Sequence, residues 1–263
     1  MPGSFSNYAE EKILNHIFGG NQFPVPSLHC GYFLTDAADT GSGSEPQGGG
    51  YARVPTPPSY WSSASDQVAQ NVRDIIFPTA TGNHGQVVGI GLFDSSAGGN
   101  FLSYFPAESG LLIQAGDSLK ILAGGLNHQF LPGGFTNYLK NGILNHVYKA
   151  VPLPLFPTIY PGYMTSAPSD SAPGNEPTSG GYARVAIANN MTNMSVIVNG
   201  EKTNSAIIEF PEAIGNQGSA SFFGIWSAAS GGQLLCYGGI NPVNIATASQ
   251  LIMLPGDISI SLD

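Results

Sequence analysis

Charge is scarce in this chain. Asp, Glu, Lys and Arg together make up 10% of its 263 residues, against roughly 25% in an average soluble protein. Eight of these are Lys or Arg, and they are scattered. Phosphate contacts need clustered basic side chains, so a nucleic-acid partner is excluded. The net charge of −9 is spread as well, which reads as plain solubility. Cysteine is limited to Cys30 and Cys236, which rules out a disulfide scaffold and predicts two buried free thiols. No apolar run approaches the roughly 20 residues that cross a bilayer, so no membrane partner is expected. The N-terminus lacks a basic stretch followed by an apolar one, so no signal peptide is expected.

Catalytic motifs are missing too. There is no Gly-x-Ser-x-Gly elbow before a helix. Neither phosphate-binding glycine loop occurs in its strand-to-helix setting. No three or four His, Cys, Asp or Glu stand at metal-ligand spacing. The chain therefore reads as a non-enzyme with no catalytic residue, no cofactor and no metal.

What is present is a duplication. Asn7-Tyr8 and Ile13-Leu14-Asn15-His16 return as Asn137-Tyr138 and Ile143-Leu144-Asn145-His146. Gly49-Gly50-Tyr51-Ala52-Arg53-Val54 returns unchanged as Gly180 to Val185. Phe77-Pro78 returns as Phe210-Pro211, and Gly98-Gly99 as Gly231-Gly232. The offset grows from 130 (7 to 137) through 131 (49 to 180) to 133 (77 to 210), so small loop insertions separate the copies. The reading is two domains, residues 1–132 and 133–263, each large enough to fold alone.

Each copy opens with an amphipathic helix. Tyr8, Ile13, Leu14 and Ile17 recur near helical spacing, and Gly19-Gly20 ends the run. Thr136 precedes the matching pattern of the second copy. The remainder reads as six to eight short strands per copy, bounded by Gly, Pro, Asn and Ser: near 29–35, 50–55, 73–77, 86–93, 100–105, 111–114, 117–123 and 126–131 in the first, and near 159–165, 181–189, 193–198, 205–210, 220–227, 233–238, 249–254 and 257–262 in the second. The fold class predicted is all-β with short helices: two tandem β-sandwich domains, jelly-roll or Ig-like, each preceded by an amphipathic helix. Gly98-Gly99 and Gly231-Gly232 are expected to turn hairpins. The Gly/Ser/Pro-rich loops 36–49 and 166–180 are expected at the surface.

The copies act as an internal alignment. Both keep an arginine in a strand, Arg53 and Arg184, two residues after Tyr51 and Tyr182. Both keep a glutamate eight residues upstream, Glu45 and Glu176. These six positions are read as a structural Glu–Arg pairing, or an arginine bonding loop carbonyls, that ties the glycine-rich loop to the sheet. The alternative is an arginine offered to an acidic partner. His16 and His146 match and are read as packed or capping residues. His29, His84 and His128 have no histidine counterpart, and Gln217 stands opposite His84. Trp61, Tyr60 and Trp226 could form a carbohydrate-stacking surface, although Trp226 aligns with Phe93 and so reads as core.

The order of motifs resembles a family of tailed-bacteriophage virion structural proteins, built from tandem tail-fibre-like or capsid-decoration domains of roughly 130 residues. The first copy carries the resemblance in Gly49-Gly50-Tyr51-Ala52-Arg53-Val54, Gly91-Leu92-Phe93-Asp94 and Ala115-Gly116-Asp117. The second lacks the last motif and has Ser227 for Asp94. The resemblance implies a location in the virion and partners among its proteins, the major capsid protein foremost, with a homo-oligomeric state. Its first functional expectation is a capsid cement or decoration protein bridging capsomers. Its alternative is a fibre-like neck or tail appendage that contacts the host surface or other tail proteins, with Trp61 the candidate exposed aromatic for a host glycan.

Overall fold

The computed structural model describes residues 2–198 and 200–262. The first repeat runs β1 (Pro2–Phe5), α1 (Asn7–Phe18), β2 (His29–Phe33), β3 (Val54–Pro55), β4 (Val68–Gln70), β5 (Ile75–Ile76), β6 (Gly85–Phe93), β7 (Phe101–Ile113), β8 (Lys120–Ile121) and β9 (Asn127–Gln129). The second runs α2 (Asn137–Tyr148), β10 (Thr158–Met164), β11 (Ile187–Ala188), β12 (Glu201–Thr203), β13 (Ile208–Glu209), β14 (Gly218–Trp226), β15 (Leu234–Ile245), β16 (Ile252–Met253) and β17 (Ser259–Ser261). The chain is mostly β, with two α-helices among the described residues.

In the first repeat one seven-stranded sheet has the order β3-β2-β6-β7-β1-β9-β4. All neighbours are antiparallel except β1 and β9. In the second repeat the corresponding sheet has four strands, β11-β10-β14-β15, and β12-β17 pair separately. The long hairpins β6–β7 and β14–β15 carry the same two irregularities, between Val87 and Gly89 and between Ala220 and Phe222, then one residue before Phe93 and Trp226. At the first, β7 jumps from Pro106 to Leu111 and β15 from Gly239 to Val243. The second bulge is one residue shorter, which lowers the repeat offset from 133 to 132 beyond it.

Each hairpin tip is a pair of glycines in the left-handed region, Gly98 and Gly99 at φ 58° and 71°, Gly231 and Gly232 at 62° and 69°. Only glycine enters that region without a steric penalty.

The helices are held at both ends by side chains. Ser6 Oγ accepts from the Ala9 amide at 3.2 Å and donates to the Phe101 carbonyl at 2.6 Å. Thr136 Oγ1 donates to the Leu234 carbonyl at 2.7 Å in the same way. Such caps satisfy amides that the first helical turn leaves open. At the other end His16 Nδ1 accepts from the Phe23 amide, and His146 Nδ1 from the Leu153 amide, each at 3.0 Å. The paired histidines thus fasten the chain reversal after each helix. The loops 36–49 and 166–180 are fastened too: the carbonyls of Asp39 and Asp170 accept the amides of Asn7 and Asn137.

The chain divides into two compact units that do not follow the repeats. Unit 1 comprises Met1–Glu11, Pro24–Phe130 and Asn141–Leu153. Unit 2 comprises Lys12–Phe23, Leu131–Lys140 and Pro154–Asp263. The later turns of α2 belong to the unit otherwise made of the first repeat. The later turns of α1 belong to the other. Ile13, Leu14, Ile17 and Phe18 of α1, with Ile143, Leu144, Val147 and Tyr148 of α2, are all buried.

Candidate functional site

The six duplicated positions form two matching clasps, one per unit. Arg53 and Arg184 lie outside any strand, just before β3 and β11, in place of the strand positions expected from the sequence; contacts with Glu45 and Glu176 hold them and the neighbouring Tyr51 and Tyr182 there. Arg53 donates to Glu45 twice, Nε to Oε1 at 3.0 Å and Nη2 to Oε2 at 2.5 Å. Its Nη1 caps the β6–β7 tip, donating to the carbonyls of Ser95 at 2.9 Å and Gly98 at 2.6 Å. The guanidinium lies 3.3 Å above the centre of the Phe93 ring. Tyr51 donates its hydroxyl to Glu45 Oε1 and accepts the Tyr32 amide at 3.2 Å.

Unit 2 repeats every contact. Arg184 donates to Glu176 at 2.9 and 2.6 Å, and to the carbonyls of Ala228 and Gly231 at 2.7 Å each. It sits 4.2 Å above Trp226. Tyr182 donates to Glu176 at 2.6 Å and accepts the Tyr163 amide at 3.2 Å. The close approach demands glycine beneath the clasp. A Cβ on Gly31 would fall 2.6 Å from both Glu45 Oε1 and Tyr51 Oη, and one on Gly162 would fall 2.5 Å from Tyr182 Oη.

Both arginine side chains are 8% exposed. At that depth a charge needs its partner, and the planar fork meets the carboxylate edge with two parallel bonds. Burial, then the bond to the neighbouring glutamate, pushes the phenols of Tyr51 and Tyr182 well above the ordinary tyrosine range. Both phenols therefore stay protonated and keep donating to the carboxylate. As arranged, the clasp has no free nucleophile or base: each carboxylate is bound by its Arg and Tyr, and each guanidinium spans a carboxylate and two carbonyls.

A cleft of about 420 Å³ opens beside the clasp of unit 1. Its lining includes Arg53, Glu45, Phe93, Tyr8, Asp39 and Asn100. Asn100 is fixed by Asp94, whose two oxygens accept its backbone and side-chain N–H groups at 2.6 Å each. Burial, then the charges of Asp94 and Glu11, raises the phenol of Tyr8. Phe33, Phe93 and Phe101 pack beneath with ring centres 5.5 to 5.7 Å apart. Unit 2 has Met164, Trp226 and Leu234 at the matching places. The clasp is thus held in common, while the cluster under the cleft differs.

Other residues singled out in the sequence are less accessible. Trp61 is 0% exposed, with its indole N–H bonded to the Thr56 carbonyl and its ring 4.7 Å from that of Tyr148. It cannot be the exposed aromatic of a glycan contact. Trp226 is 2% exposed beneath Arg184. Cys30 and Cys236 are free and buried, and burial pushes both thiols up. No group of three or more His, Cys, Asp or Glu converges as a metal site among the described residues. Among those residues no helix is long and apolar enough to cross a membrane.

Two polar clusters were not anticipated. In unit 2, Lys140 Nζ donates to Asp170 at 2.7 Å and to the Leu131 carbonyl at 2.6 Å, and Asp170 also accepts from Tyr237. In unit 1, the Tyr148 hydroxyl meets Ser103 Oγ at 2.9 Å and His128 Nδ1 at 2.6 Å. Asp170 and Tyr237 match Asp39 and Tyr104, but Lys140 stands opposite Glu10, and Tyr148, Ser103 and His128 stand opposite Phe18, Cys236 and Ile260, so comparing the copies for shared residues could not reveal either complete cluster.

This is the architecture of a protein built from two homologous β-rich repeats. The chain belongs to the Gp80 family, described as podophage GP4 fiber I protein gp80, whose model matches it twice, at residues 4–129 and 134–261. A search of curated proteins finds no match. The family places the chain among phage fibre and virion structural proteins.

Proposed function

We propose that this chain is a non-enzymatic component of the fibre apparatus of a short-tailed phage particle, acting through protein–protein contacts. The observation that carries the reading is the double match to a fibre family, once per repeat. The geometry supports it. The six duplicated polar residues serve each other, and the shared chemistry goes into holding a loop and a hairpin tip in place. Such a unit works by presenting surface, and two linked copies present it twice. Its partners are other virion proteins, with assembly as a homo-oligomer. The boundary at 132/133 joins the two repeats in sequence, while each presenting unit also takes a helix end from the other repeat. The competing reading is a cement protein on the major capsid protein. Copy number in purified virions separates them: few copies per particle for a fibre, and a number tracking the capsid protein for a cement.

The cleft of unit 1 favours a second element, contact with a neutral saccharide of the host surface. Clefts of this size that combine a few fixed polar groups with aromatic walls are the usual setting of small-ligand recognition. Asp39 and Asn100 can bond sugar hydroxyls, Tyr8 offers ring and hydroxyl, and the nearby carboxylates disfavour anionic sugars. Titration of the protein with neutral and acidic oligosaccharides, followed by NMR, tests this. Shifts confined to Tyr8, Asp39 and Asn100 with neutral sugars support it, and none with any sugar removes it.

A further inference from the structure

The later turns of α2 complete unit 1, and those of α1 complete unit 2. We propose that the two repeats exchange helix ends, and that a polarity match in each receiving socket specifies which helix enters it.

The contacts are reciprocal. In unit 1, Asn145 Oδ1 accepts the Ala64 amide at 2.8 Å, and Asn141 Oδ1 the Gln67 amide at 3.0 Å. Lys149 Nζ donates to the carbonyls of Pro58 and Trp61. Tyr148 stacks on Phe5 with ring centres 6.2 Å apart and planes at 18°. In unit 2, Asn189 Nδ2 donates to the Ile17 carbonyl at 2.7 Å, and Lys202 Nζ to Asn15 Oδ1 at 2.9 Å. Phe18 stacks on Phe135 at 6.3 Å and 19°. Phe18 and Tyr148 are equivalent positions, 130 apart, as are Phe5 and Phe135.

The sockets differ in polarity, and each difference fits the exchanged helix. The Tyr148 hydroxyl is met in unit 1 by Ser103 and His128. The matching places of unit 2 hold Cys236, bridged to Phe135 as Ser103 is paired to Phe5, and Ile260, paired to Lys202 as His128 is to Ala69. That socket receives Phe18, which has no hydroxyl. Were each helix to enter its own repeat, Phe18 would face Ser103 and His128, leaving two buried polar groups without their phenol. Tyr148 would bring a hydroxyl to Cys236 and Ile260. A buried polar group left without a partner is costly, so the unexchanged arrangement is selected against twice.

Two measurements on the full chain test this. A protease site placed between Pro132 and Gly133 allows the repeats to be cut apart after folding. The exchange predicts that the fragments co-elute and separate only in denaturant; elution as two folded monomers overturns it. The second is a double-mutant cycle across the repeats. Tyr148→Phe should shift the unfolding equilibrium about tenfold or more toward the unfolded state. The same change should cost much less in a background carrying Ser103→Cys and His128→Ile, which gives unit 1 the apolar socket of unit 2. Additive effects overturn the polarity match. With Trp226→Phe, which copies Phe93 of the first repeat, Trp61 becomes the lone indole. Its emission should respond to Tyr148→Phe and not to Phe18→Leu, and the reverse pattern also overturns the proposal.

Discussion

His84 and Gln217, different residues at equivalent positions, make the same two hydrogen bonds. His84 meets the Tyr32 hydroxyl through Nδ1 at 2.6 Å and the Gly49 carbonyl through Nε2 at 2.8 Å. Gln217 accepts from the Tyr163 hydroxyl through Oε1 and donates through Nε2 to the Gly180 carbonyl at 2.6 Å. A carbonyl can only accept, so Nε2 of His84 carries a proton, and in the neutral ring Nδ1 then takes the Tyr32 hydrogen, as Gln217 Oε1 takes that of Tyr163. The duplicate thereby fixes a tautomer. His84→Gln should change stability by less than about 1 kcal/mol, whereas His84→Ala should cost about 2 kcal/mol by orphaning both partners. Nitrogen NMR should find Nδ1 unprotonated, and a protonated Nδ1 would contradict the assignment.

The arginine clasps predict that lysine cannot substitute. Arg53→Lys and Arg184→Lys each keep the charge but lose the fork that spans a carboxylate and two carbonyls. Each should cost about 2–3 kcal/mol in chemical denaturation, because nearly buried groups lose partners. Arg73 is exposed, and its replacement by Lys should stay within about 0.5 kcal/mol.

Ala150 offers a gain. It follows α2 at φ 56°, at the position where the first copy has Gly20 at φ 67°. A non-glycine residue in that region costs on the order of 1 kcal/mol. Ala150→Gly should therefore raise the melting temperature. Gly20→Ala should lower it by more, since its Cβ would lie 2.5 Å from the Asn189 carbonyl oxygen.

Burial pushes His128 from 6.5 down to about 3. Phe5, Phe130 and Tyr148 enclose the ring. A histidine held neutral in the fold contributes its full share of stability above its unfolded pKa near 6.5. That share is lost progressively as pH falls from there toward 3, at up to about 1.4 kcal/mol per pH unit. His128→Ile should flatten this acid limb in urea titrations between pH 7 and pH 4, and an unchanged slope would refute the assignment.

The duplication made much of the scaffold legible. Identical residues at Glu45, Tyr51, Arg53 and their copies announced the clasp positions, and the helix patterns announced both helices. The two-residue pairs β3, β5 and β8 were read too long, because runs such as 50–55 and 117–123 are held largely by turns and side chains outside any ladder. β1, β4 and β12 were missed: Gly3, Ser4, Gln70 and Glu201 carry little strand propensity, and pairing with distant strands decides their conformation. Trp61 was misplaced because nothing local reveals that a helix from the other repeat covers it. Tyr148, His128 and Ser103 lie far apart in sequence, so only the fold brings them together.

The most direct test of the account is to locate the protein on the assembled particle. Cryo-electron microscopy of virions, aided by a tag at an exposed site such as Gly48, should place its density at the tail or neck as part of a fibre. Density distributed over the capsid lattice would contradict the fibre assignment in favour of a cement, and absence from the particle would contradict both.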